Sequence, residues 1–172
     1  MLVAQRSLLE ATTPDGMKPV TFVSFTPATS FEMGWQTGKA EERAILFLLL
    51  SEHLSLRGAD ATALKRILQG GVTSLSNFER IIENMRIAVG DGWEPSIKKA
   101  FLRAFDGSKL RGAAFEMIEQ VRGRSSLPTT QKAPATELIV GLRRLLARAS
   151  VKALEPDLVI LDEFQRFKGL LN

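Results

Sequence analysis

Asp162 and Glu163 are the two residues of this chain whose types and spacing best suit chemistry. They follow four uninterrupted apolar residues, Leu158-Val159-Ile160-Leu161, which read as a buried parallel strand delivering two carboxylates to its C-terminal end. In open α/β sheets ligands sit in the crevice outside the carboxyl ends of the strands, so the pair would face a phosphate site and not the core. A triphosphate needs a divalent cation to neutralise charge on the transferred oxygens, and magnesium takes one or two carboxylates together with waters and phosphates. A neighbouring carboxylate then orients a nucleophilic water. The competing reading is an exposed acidic pair at a strand end, followed by a turn.

The string Leu158-Val159-Ile160-Leu161-Asp162-Glu163-Phe164-Gln165 resembles motif II, the Walker B or DEAD-box element, of superfamily 2 helicases and translocases. Its continuation, Arg166-Phe167-Lys168, is similar to a bacterial group of large helicase-like proteins whose box reads Asp-Glu-Phe-Gln-Arg-Phe. Upstream, Phe22 to Phe31 is similar to the segment carrying motif Ib in that group, where a strand ends in Thr-Pro. The resemblance implies that Asp162 binds Mg2+, usually through water, and that Glu163 polarises the water attacking the γ-phosphate of ATP. It further implies that Gln165 and Arg166 couple the nucleotide site to the rest of the motor, and that Thr26 and Pro27 contact a nucleic-acid backbone. The implied partners are nucleic acid, DNA ahead of RNA, and the remainder of a helicase motor, with no membrane. The resemblance covers about residues 20 to 31 and 154 to 170 and carries almost nothing between them.

A phosphate loop of the form G-x-x-x-x-G-K-[ST] is missing from the sequence. Gly34 to Ala40 comes nearest, one residue short between its glycines and with Ala40 where a metal-binding hydroxyl belongs. Gly38-Lys39 therefore reads as a turn leading into a helix, with Glu41, Glu42 and Arg43 solvating that helix start; a degenerate phosphate loop is the alternative. The expectation is a fragment of an ATP-dependent helicase or translocase that supplies motif II and does not hydrolyse ATP alone. A non-catalytic helical nucleic-acid-binding or interaction domain is the competing class.

The elements that must position these residues follow from periodicity. Val20 to Phe25 is rich in β-branched and aromatic residues, reads as a strand and stops before Pro27. From Lys39 to Leu56 the apolar residues surround more than one face, which predicts a helix buried between other elements. Asp60 can cap a helix running to Leu68 and ended by Gly70. Ser76 with Glu79 forms a capping-box pattern, Pro95 suits the first turn of a further helix, and Ser108 can start a fifth. Gly123 to Ala133 reads as a linker, and the apolar residues from Leu138 to Leu146 mark one more helix, ending near Ser150 before the motif II strand.

Together these elements predict an α/β, helix-rich fold with an incomplete RecA-like parallel sheet and a helical insertion. Residues 1–38 would be part of the motor domain, 39–122 the insertion, and 123–172 the linker, helix and motif II strand.

The chain has 172 residues, 45% of them hydrophobic, enough to close a core. It has no cysteine, which excludes disulfides, thiolate metal sites and cysteine nucleophiles. No apolar run approaches the roughly 20 residues of a membrane span, so a soluble, cytoplasmic protein is expected. The formal charge of +4 is compatible with nucleic acid. Basic residues gather between Lys98 and Arg124 and again from Arg143 to Lys152, either as solvated helix faces or as phosphate contacts. His53, the single histidine, has no partners for a zinc site. Trp35 and Trp93 are read as core anchors, with base stacking as the alternative.

Overall fold

A computed structural model describes residues 22–25, 37–90, 95–154 and 158–161. Its contacts divide the chain into two units, residues 1–34 with 154–172, and residues 35–153.

The larger unit is helical. In chain order its helices are α1 (Ala40–His53), α2 (Gly58–Gln69), α3 (Leu75–Val89), α4 (Pro95–Asp106), α5 (Lys109–Val121) and α6 (Lys132–Leu154), the last preceded by a 3-10 turn at Thr129–Gln131. Helix α1 is apolar nearly all round and sits at the centre: Ala44, Ile45, Leu46, Phe47, Leu49 and Leu50 are buried, and α2, α3 and α4 pack on it. A helix without a polar face satisfies its surface only when others enclose it. The surrounding helices each turn one apolar stripe inward, Ala63, Leu64, Ile67 and Leu68 from α2, Phe78 and Ile82 from α3, and Phe101 and Phe105 from α4. Helix α5 adds Ala114, Met117, Ile118 and Val121, and α6 adds Leu138, Ile139 and Leu142 to the same core.

Local signals set most helix ends. Ser108 caps α5 by accepting the amide of Leu110 at 3.2 Å. Gly70, at φ 56°, ends α2 in a conformation that L side chains rarely adopt. Two expectations are corrected. Helix α3 is capped by Ser74, whose hydroxyl accepts from the Asn77 amide at 3.1 Å, and not by Ser76, which instead hydrogen-bonds Ser74 at 2.9 Å. Arg57 occupies the cap position of α2, leaving Asp60 in its first turn.

The smaller unit contains β1 (Phe22–Phe25) and β2 (Leu158–Leu161), paired in parallel with Phe22 opposite Leu158 and Phe25 opposite Leu161.

The expected α/β fold with an incomplete RecA-like parallel sheet is overturned. A single ladder of four-residue strands is not a sheet layered by helices, and the core among the described residues is built from helix side chains alone. The physical reason is visible in α1: its all-round apolar surface is covered by neighbouring helices, so their stripes are spent on helix-to-helix packing and not on a sheet face. The helix after the linker, α6, likewise buries Ala135, Leu138, Ile139 and Leu142 in the helical unit. Its start also lies earlier than periodicity suggested, within the expected linker.

Candidate functional site

Asp162, Glu163, Gln165 and Arg166, with Thr26 and Pro27, lie outside the described residues. What is described is the backbone that leads to them. Because β1 and β2 run parallel and in register, both strands reach their carboxyl ends at the same end of the ladder. One continues directly into Thr26-Pro27 and the other into Asp162-Glu163. Parallel strands cannot be joined by a tight hairpin and require a long connection, and here that connection contains the six helices of the described residues. Among the described residues, no group of three or more histidine, aspartate or glutamate side chains is placed to hold a metal ion.

In the described part of the Gly34 to Ala40 segment, Gly38 serves the start of α1. Gly38, at φ 69°, turns the chain into α1, and its carbonyl oxygen accepts from Arg43 Nη1 at 2.5 Å. A side chain at position 38 would collide with the Arg143 guanidinium and the Glu42 carboxylate, which are themselves paired at 2.6 Å. The glycine is required by arginine packing, and the backbone group it offers there is an acceptor, whereas a phosphate needs donors.

Arg43 is the residue that sequence reasoning misplaced. It does not solvate the helix start but is 3% exposed. Its Nε donates to the Leu68 carbonyl at 2.8 Å and its Nη2 to Gln69 at 3.1 Å, which satisfies carbonyls in the last turn of α2. Its Nη1 holds Thr37 and Gly38, so one guanidinium ties the entry of α1 to the exit of α2. Burial, and then the charge of Arg143, lower its pKa, opposed by Glu42 and Glu41. The signal was an arginine at the very start of an apolar run, directly before Ala44, on a helix with no polar face.

Part of each basic group is engaged within the chain. Lys98 pairs with Glu52 at 2.7 Å, Arg111 with Asp106 at 3.5 Å and Arg122 with Asp60 at 2.6 Å. In the second group Arg143 pairs with Glu42. His53 hydrogen-bonds Asp106 at 3.0 Å and packs edge-on against Phe105. Trp35 and Trp93 lie outside the described residues.

A cleft of about 960 Å³ opens beside α1, α2 and α3, but three of the four cations along it meet carboxylates: Lys65 pairs with Glu79, Lys98 with Glu52 and Arg86 with Glu83. A second cleft, of about 750 Å³, is lined by hydroxyl groups, Arg66 and Lys132 and by no acidic residue. Sequence reasoning took its Ser125, Ser126 and Thr129 simply as linker. No helix among the described residues is long and apolar enough to cross a membrane.

No family model, curated protein or solved structure matches this chain.

Proposed function

We propose that this chain supplies motif II of an ATP-dependent superfamily 2 helicase or translocase, with Asp162 holding Mg2+ and Glu163 orienting the water that attacks the γ-phosphate. The observation that supports the reading is the parallel register of Phe22–Phe25 with Leu158–Leu161, strands that directly precede Thr26-Pro27 and Asp162-Glu163 in the sequence and whose carboxyl ends share one end of the ladder. A shared end is what a motor needs to link its nucleotide to its polymer. Thr26 and Pro27 would meet a nucleic-acid backbone, which positions a strand without reading its sequence. Gln165 and Arg166 would couple the two events. The helices between the strands are then the module this motor carries from motif Ib to motif II.

The test is nucleic-acid-stimulated ATP hydrolysis by the protein expressed from its whole reading frame. Glu163→Gln is expected to lower kcat by about 10² to 10⁴ while Mg-ATP still binds, and Asp162→Asn to raise the Mg2+ concentration required. Residues 1–172 alone should not turn over ATP. The absence of any nucleic-acid-stimulated hydrolysis by the whole protein would overturn the reading.

A second reading, a non-catalytic helical nucleic-acid-binding or interaction domain, is favoured by the closed core of residues 35–153. Binding of nucleic acid that ignores ATP and Mg2+ in the whole protein would select it.

A further inference from the structure

We propose that the 750 Å³ cleft between the C-terminal end of α2 and the N-terminal end of α6 binds phosphate groups of a single-stranded nucleic acid. The volume lies in the range of ligand sites, about 300 to 1,000 Å³, and exceeds what a lone phosphate fills. Arg66 and Lys132 line it, and neither forms an ion pair among the described residues. This separates it from the larger cleft, where three lysine or arginine side chains are matched by glutamates.

The donors are held in place. Arg66 Nε donates to the Ser125 carbonyl at 3.2 Å, which fixes the guanidinium on the wall and leaves its Nη groups for a ligand. Ser74, Thr136 and Thr37 spend their hydroxyls within the chain, on Asn77, on Lys132 and on Arg43. Thr73, Ser125, Ser126 and Thr129 line the same cleft, are exposed, and have no hydrogen-bond partner for their hydroxyls among the described residues.

Phosphate oxygens accept from arginine, lysine and hydroxyl donors alike, and an arginine fork suits a phosphate's geometry. A carboxylate in the wall would repel them, and none lines this cleft. Leu75 and Leu127, both half-buried, give it an apolar side against which a sugar or base can lie. That mixture suits a nucleotide unit of a polymer better than inorganic phosphate. The choice of polymer rests on the nucleic-acid reading above, but the site itself uses neither Asp162 nor Glu163.

The experiment is fluorescence anisotropy of a labelled oligothymidylate titrated with the full chain over a salt series, with no nucleotide present. Arg66→Gln with Lys132→Gln should weaken binding about tenfold at low salt and make the log–log salt slope shallower by about 1.4, the value for two phosphate contacts on a single strand. Lys132→Gln alone, which leaves the Arg66 contact to the loop intact, should flatten it by about 0.7. Far-UV circular dichroism checks that helix content is retained, and the single variant carries the test if the double variant loses it.

A chain that binds no oligonucleotide, yet is stabilised against heat by inorganic phosphate only when Arg66 and Lys132 are present, would keep the phosphate site and remove the polymer. Binding unchanged in the variants, or no response to either probe, would overturn the proposal. Loss of ATP hydrolysis in the whole protein with oligonucleotide binding intact would count against motif II and leave this site standing.

Discussion

The helical unit and the strand pair use apolar residues to opposite ends. In the helical unit, Leu46, Phe78, Phe101 and Leu142 are fully buried in one core, and the polar residues near it, Arg43 above all, serve its joints. In the strand pair, four-residue runs do little beyond aligning two chain segments, and the residues with chemical potential come immediately after them. Two short strands are marginal by themselves, whereas a bundle closing around α1 satisfies nearly all of its own apolar surface. The lesson is that the part of this protein with the most structure is not the part with the most recognisable chemistry.

That contrast can be broken most directly in the core. Phe101→Ala removes a fully buried ring stacked against Phe105 at 6.4 Å and should cost about 3 to 5 kcal/mol in urea unfolding. A loss below about 1 kcal/mol would mean the bundle is not a close-packed unit. Next comes Arg43→Met, which fills similar space but strands the carbonyls of Thr37, Gly38, Leu68 and Gln69, for an expected loss of about 3 kcal/mol. An unchanged midpoint would show that water satisfies those carbonyls equally well. The smallest effect is expected from Asp162→Asn. If that carboxylate serves a metal and not the fold, the helical transition at 222 nm should stay within about 0.5 kcal/mol of the parent chain. A larger shift would tie Asp162 to stability and weaken its assignment to Mg2+.

Much of the helical unit was legible. The all-round apolar pattern of Ala44 to Leu50 marked a buried helix, Pro95 and Ser108 marked helix starts, and Gly70 marked an end. These signals are local: they depend on periodicity, on a fixed proline φ, on a hydroxyl within reach of a free amide. The Ser76 cap failed because Ser74 competes for the same turn, and two hydroxyls two residues apart cannot be ranked from sequence. The RecA-like sheet failed for a different reason. A strand pattern shows that a segment suits a sheet but not how many partners it will find, and the described core is closed by helix side chains around α1.

At the candidate sites the division is similar. Asp162-Glu163 stands out from spacing alone, because a carboxylate pair after an apolar run is a one-dimensional signal. The phosphate cleft does not, since Arg66, Thr73, Ser125 and Lys132 lie far apart in sequence and converge only when α2 and α6 pack into one core. Nor could composition show that Arg43 would be buried while Arg66 would keep donors facing a cleft. Sequence by itself determined that α1 is buried, that Pro95 and Ser108 open helices and that Gly70 closes one, because each depends on neighbours within a few positions. Tertiary structure alone decided which cations are paired, which hydroxyls are left unspent and which glycine must accommodate an arginine, because those depend on residues as far apart as Glu42 and Arg143 meeting at 2.6 Å.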